Sequence, residues 1–128
     1  MDYINLGKSD LKVSRLCLGC MTFGEHSEGW HEWVLNQEQT DEMIKKALEL
    51  GINFFDTANI YGKGSSEVFI GNSFKKLVKN RKDIIVATKV YFNEGKLSKE
   101  AILREIEGSL KRLQLDYYKK LTRTKQKS

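Results

Sequence analysis

The sequence predicts an α/β chain: a partial (β/α)8 TIM barrel, with an N-terminal β-hairpin, about three βα units and a truncation in the fourth strand. Three observations carry this reading. Short apolar runs alternate three times with stretches of helical periodicity, which implies a parallel sheet with helices packed outside it. The strand ends fall at Gly19, Asp56 and Lys89, 37 and 33 residues apart, the length of one βα step. The chain has 128 residues, where a complete barrel takes about 250.

The opening Tyr3-Ile4-Asn5-Leu6 and Leu11-Lys12-Val13-Ser14 flank the turn-rich Gly7-Lys8-Ser9-Asp10, the pattern of a hairpin. Leu16-Cys17-Leu18-Gly19 reads as a short strand, followed by a polar loop over 22–35. Asn36 is an N-cap with Gln39 three residues on, as in a capping box. Met43, Ile44, Ala47 and Leu48 then mark one helical face, and Gly51 falls where a left-handed C-terminal residue is wanted. Ile52-Asn53-Phe54-Phe55 is a buried strand ending at Asp56. Ser65 or Ser66 is expected to cap a second helix with Phe69, Ile70, Phe74, Leu77 and Val78 on its apolar face. Ile84-Ile85-Val86-Ala87-Thr88 is the clearest strand and ends at Lys89. Ser98 caps a third helix carrying Ile102, Leu103, Ile106, Leu110 and Leu113. Leu115-Asp116-Tyr117-Tyr118 begins like a fourth strand, but lysines 119 and 120 arrive where apolar residues belong.

Charge divides the chain at that point. Of its 22 Lys and Arg residues, five lie in 119–128 with no acid among them, which leaves 17 against 17 acidic residues in the rest. The body is neutral, so a nucleic-acid-binding domain is not expected. Residues 118–128 read as a basic, disordered tail on a body of 1–117. A change of reading frame or an alternative exon after Tyr117 would account for it. The longest apolar run is the four residues 84–87, so no membrane association is expected. Two cysteines and an N-terminus without a secretory pattern point to the cytoplasm. Cys17 and Cys20 form C-x-x-C with His26 and His31 nearby, but an offset of three in a strand puts the thiols on opposite faces. No metal site is expected.

The C-terminal ends of parallel strands carry the active site in such folds. Asp56 and Lys89 end neighbouring strands, which lie about 4.8 Å apart. Tyr61 follows Asp56 by five residues, in reach of the same spot. The trio has a chemical logic. An ammonium beside a phenol stabilises the phenolate and eases proton release. A carboxylate keeps that ammonium charged and oriented. A phenol so placed can protonate a carbonyl oxygen as it gains negative charge. A capping aspartate with a structural Asp–Lys pair accounts for the same spacing.

The segments themselves resemble a known family. Gly51-Ile52-Asn53-Phe54-Phe55-Asp56-Thr57-Ala58-Asn59-Ile60-Tyr61-Gly62 is similar to the signature segment of the aldo-keto reductases. Leu16-Cys17-Leu18-Gly19-Cys20-Met21-Thr22-Phe23-Gly24 resembles their first strand and loop. Val86-Ala87-Thr88-Lys89 resembles their third-strand lysine segment, and Ser109-Leu110-Lys111-Arg112-Leu113 the end of their third helix. The likeness is to the bacterial branch related to the potassium-channel β-subunit, and it covers the N-terminal half only. It implies a reductase that uses NADPH (NADP) to convert aldehydes and ketones to alcohols. Tyr61 would be its general acid, tuned by Lys89 and Asp56. Gly19, Met21, Thr22 and Asp56 would lie near the nicotinamide and its ribose. Trp30 and Trp33 would line the pocket of a small carbonyl substrate, although ordinary loop packing suits them too. The family's fourth catalytic residue is a histidine in the fourth strand. This chain has Tyr118-Lys119-Lys120-Leu121-Thr122 there, and its pyrophosphate-binding strands seven and eight have no counterpart. Cofactor binding is therefore expected to be impaired, and the chain weak or inactive, with a non-catalytic interaction module as the alternative. A parallel sheet left open at its edge predicts a homo-oligomer.

Overall fold

A computed structural model of the chain describes residues 1–25 and 34–116 and the backbone of 120–123. The expected hairpin is present: β1 (Tyr3–Asn5) and β2 (Lys12–Ser14) pair antiparallel, Ile4 opposite Val13. Gly7 supplies a left-handed residue to its turn, φ 59°. The hairpin docks on the N-terminal end of the main sheet. Tyr3 Oη donates to the Gly51 carbonyl at 2.7 Å, and the Ser14 amide donates to Asn53 Oδ1 at 2.7 Å. That contact leaves the opposite rim of the sheet uncovered by the hairpin.

The main sheet is parallel throughout, in the order β3 (Leu18–Gly19), β4 (Phe54–Asp56), β5 (Ile85–Val90) and β6 (Lys120–Arg123). Three helices connect the strands: α1 (Gln37–Glu49), α2 (Ser65–Leu77) and α3 (Lys99–Leu113). Among the described residues the sheet does not close into a barrel. The fourth strand corrects the sequence reading at four positions. Lys120–Arg123, expected in a disordered tail, pair with β5 from Ala87 to Val90. A parallel ladder is made by backbone groups, so an edge strand can form where the side chains are polar. Residues 118, 119 and 124–128 of the expected tail lie outside the described residues.

Alternation sorts the strands into two faces. Phe55 and Val86, with no exposed surface, pack with Ile44 and Ala47 of α1, Ile70 and Phe74 of α2, and Leu113 of α3. Phe55 meets Phe74 edge to face at 5.1 Å between ring centres. This is the helix-side core. The alternate residues Phe54, Asp56, Ile85, Ala87 and Lys89 take the other face, the inside of the curve.

The helix boundaries follow local chemistry at two of three starts. Asn36 and Gln39 form the expected capping box, with the Gln39 amide donating to Asn36 Oδ1 at 2.9 Å and the Asn36 amide to Gln39 Oε1 at 3.1 Å. Such a cap is worth about 1 kcal/mol. Ser98 caps α3 through the Ala101 amide at 3.2 Å. The start of α2 differs. The N-cap position belongs to Gly64, at φ 96°, and Ser65 and Ser66 are its first helical residues. A side-chain cap needs extended backbone at the cap residue. Here the chain arrives left-handed, a conformation glycine takes without steric cost.

Polar contacts and one close backbone approach fix the helices to one another. Asp41 of α1 accepts from Ser73 Oγ at 2.5 Å and Lys76 Nζ at 2.7 Å, both on α2. Between α2 and α3 the backbones touch at Gly71, where a Cβ would collide with the Arg112 carbonyl and lie 2.8 Å from the Leu113 carbonyl carbon. Beside that contact Glu67, fully buried, accepts from Arg112 Nε at 2.9 Å and Thr88 Oγ1 at 3.0 Å. The pair couples both helices to the strand that carries Lys89. No described helix is long and apolar enough to cross a membrane.

Candidate active site

Strand register builds the site. Gly19, Asp56 and Ala87 form one row across β3, β4 and β5. Lys89 lies two residues beyond Ala87, on the same face, at the rim where the hairpin does not reach. Its stem bends back over the row, and its ammonium is the centre of the site. Lys89 Nζ donates to Asp56 Oδ2 at 2.7 Å and to the Thr57 carbonyl at 2.8 Å, and lies 3.3 Å from Tyr61 Oη. It also sits 5.0 Å from the centre of the Tyr61 ring, within cation–π range. The Lys89 side chain is 17% exposed and that of Asp56 37%, so the pair is partly desolvated and open on one side. The structure thus brings together Asp56, Tyr61 and Lys89, the three residues the sequence singled out.

Tyr61 reaches this point through an unusual turn. It opens a one-turn 3-10 segment, Tyr61–Gly64, in which Gly62, Lys63 and Gly64 are all left-handed, φ 57°, 56° and 96°. A non-glycine residue in that region is disfavoured by roughly 1 kcal/mol. The turn reverses the chain directly after β4 and keeps the phenol near the strand it has just left.

The remaining candidates divide. Gly19 ends β3, and among the described residues nothing lies within 4 Å of where its Cβ would stand, so they leave the space over the end of β3 open. Met21 is 37% exposed. Thr22 is half-buried, and its carbonyl accepts from the Leu35 amide at 2.6 Å. Both follow Gly19 at the same rim. Trp30 and Trp33, like His26 and His31, lie outside the described residues.

The two cysteines have unlike surroundings. Cys17 is exposed and Cys20 wholly buried. Partial burial, with the Asp56 carboxylate nearby, pushes the Cys17 thiol up to about 11, and Lys89 only partly offsets this. Burial also pushes the Cys20 thiol far up. Neither has the lowered pKa of a thiolate nucleophile. Among the described residues no group of three His, Cys, Asp or Glu side chains could hold a metal ion.

Sequence reasoning missed the Thr57 carbonyl as an acceptor for Lys89. No side-chain pattern marks it, because a backbone carbonyl is the same in every residue. Thr57 itself is fully buried and its amide donates to the Ala87 carbonyl at 2.8 Å.

Comparison with known proteins agrees with this fold. The model of the Aldo/keto reductase family matches residues 15–122. An uncharacterized oxidoreductase of Bacillus subtilis, YrpG, is 41% identical over an alignment covering 91% of this chain and 38% of its own length. A probable voltage-gated potassium channel subunit beta of Oryza sativa is 35% identical, covering 91% of this chain and 35% of its own length. Among solved structures, a holo-form aldo-keto reductase from Bacillus halodurans is similar with a TM-score of 0.77 and 37% identity, covering 96% of this chain and 40% of that one. The chain therefore spans about 40% of the length of such relatives.

Proposed function

Because the chain belongs to the aldo/keto reductase family, we propose that its site is built for NADPH-dependent reduction of aldehydes and ketones, with Tyr61 as general acid. The observation that carries this reading is the Lys89 ammonium, 2.7 Å from Asp56 Oδ2 and 3.3 Å from Tyr61 Oη at the open rim of the sheet. Tyr61 donates its proton to the carbonyl oxygen of the substrate as charge builds there. Lys89 stabilises the phenolate left behind, and Asp56 holds Lys89 in place.

The space that the described residues leave open over Gly19, beside Met21, Thr22 and Asp56, suits a flat ring lying against the end of β3. Those four residues would hold the nicotinamide and its ribose. NADPH, when bound, supplies the hydride for the carbonyl carbon. Trp30 and Trp33 belong to the loop after β3 and are proposed to line the small carbonyl substrate's pocket.

The 128-residue chain by itself is proposed to be weak or inactive. It lacks the fourth-strand histidine of the family pattern, and it spans about 40% of its relatives. The missing histidine also favours a second reading, a non-catalytic interaction module that retains the front half of the fold. Titration with NADPH, followed by cofactor fluorescence, separates the two. Micromolar binding with carbonyl-dependent oxidation supports the reductase, and Lys89→Met is then expected to slow turnover by roughly 10²–10⁴-fold. No binding at millimolar cofactor supports the module.

A further inference from the structure

The two serines that fail to cap α2 have other partners, and every one of those partners belongs to the rim. Ser65 Oγ donates to the Gly62 carbonyl at 2.6 Å and accepts from the Glu25 amide at 2.8 Å. It therefore holds the left-handed turn that carries Tyr61 and pins that turn to the loop after β3. The fit is close on two sides. A Cβ on Gly24 would stand 2.6 Å from Ser65 Oγ, and one on Gly62 would collide with it. Both glycines have positive φ, 143° and 57°, so the hydroxyl sits in a cradle that only these two residues leave open.

Ser66, with no exposed surface, does the equivalent work one layer down. Its hydroxyl donates to the Cys20 carbonyl at 2.8 Å and lies 3.2 Å from Thr57 Oγ1. One hydroxyl carries one proton. With the Ser66 proton given to Cys20, Thr57 donates to Ser66. Cys20 in turn donates its amide to the Asp56 carbonyl at 2.9 Å. The ends of β3 and β4 are thereby locked to the start of α2, and the Thr57 carbonyl is held where Lys89 Nζ meets it.

We infer that Ser65 and Ser66 are positioning residues: a paired hydroxyl clasp that aims Tyr61 and seats Lys89, acting through the Tyr61–Gly64 turn and the Thr57 carbonyl. Neither touches the reacting atoms. The inference rests on the reading of Tyr61 and Lys89 as the working pair, but its test needs no turnover and no cofactor.

The test reads the Tyr61–Lys89 contact directly in the full chain. Tyrosine labelled with 13C at Cζ gives five resonances, of which Tyr61→Phe identifies one. In the otherwise unaltered chain, Lys89→Met is expected to shift that resonance. In Ser65→Ala and Ser66→Ala backgrounds the same substitution is expected to leave it unmoved, because the contact is already lost. Ser65→Thr keeps the hydroxyl and is expected to restore the response. If Ser66→Ala, at a fully buried position, does not fold, the Ser65 pair decides the matter. If Ser65→Ala does not fold, the near-isosteric Ser65→Cys, a weak hydrogen-bonder, is read in its place with the same expected loss. An undiminished Lys89→Met response in any folded hydroxyl-deleted variant overturns the clasp, as does the absence of a response in the parent chain. Failure of NADPH to bind overturns the reductase reading instead, and leaves the clasp measurable.

Discussion

Cys17 lies just ahead of β3, within the fields of both Asp56 and Lys89. Its thiol is accessible yet pushed up to about 11, chiefly by desolvation and then by the Asp56 charge. At pH 8 this leaves a thiolate fraction about 100-fold below that of an ordinary cysteine. A more basic thiolate is also more nucleophilic, which regains about tenfold. Alkylation of Cys17 by iodoacetamide at pH 8 is therefore expected to run roughly tenfold slower than that of a free cysteine, and to keep rising with pH until it levels off near pH 11. Cys20, fully buried, is expected to stay unreacted until the chain unfolds. Mass spectrometry of time points resolves the two sites. At this scale Asp56, Tyr61 and Lys89 were legible beforehand, since strand ends and short spacings are local properties. The Thr57 carbonyl and the two serine hydroxyls were not. Their partners lie up to 46 residues away, and nothing in Ser65-Ser66 distinguishes a clasp from a cap.

One carboxylate, Asp41, joins α1 to α2 beside the hydrogen bonds that Gln37 makes with Phe69, Asn72 and Ser73. Burial alone would raise the pKa of Asp41, but hydrogen bonds from Lys76, Ser73 and Gln37 outweigh it and hold the group below the usual carboxylate value. A carboxyl that is more acidic folded than unfolded stabilises the fold above its unfolded value, near 3.9, and loses that contribution as pH falls through the folded value. Urea unfolding is expected to show Asp41→Asn less stable than the parent at pH 7, with the difference shrinking below about pH 4. A constant difference from pH 7 to pH 3 counts against this role for Asp41. The helices also show where periodicity misplaces a stripe. On α1 the buried positions are Thr40, Ile44 and Ala47, while Met43 is 46% exposed. On α3 they are Ala101, Ser109 and Leu113, with Leu103 exposed. Apolar spacing marks a broad face, but the neighbour decides which edge of it is covered. Among the described residues α3 packs against α2 on one flank only, so its other flank stays wet.

The sheet as a whole has two open edges among the described residues, β3 and β6, both parallel strands with unpaired backbone groups. Edges of this kind seek partners. A two-fold axis along the strand direction would set β6 of one copy beside β3 of a second, keep every strand parallel, and supply eight strands in all. The isolated chain is therefore expected to self-associate, with apparent mass rising towards the dimer between micromolar and hundred-micromolar concentration in sedimentation experiments. A cooperatively melting monomer across that range would sink the expectation. The sequence by itself determined the family, the βα order, the caps at Asn36 and Ser98 and the three residues of the site. Each follows from patterns confined to a few neighbouring positions, where local sterics and hydrogen bonding decide. Only the tertiary structure decided that the mostly polar residues 120–123 extend the sheet, that Glu67 is buried against Arg112, and that Tyr61 turns back onto Lys89. Those outcomes depend on strand register and on contacts between distant segments, which exist only once the helices have packed.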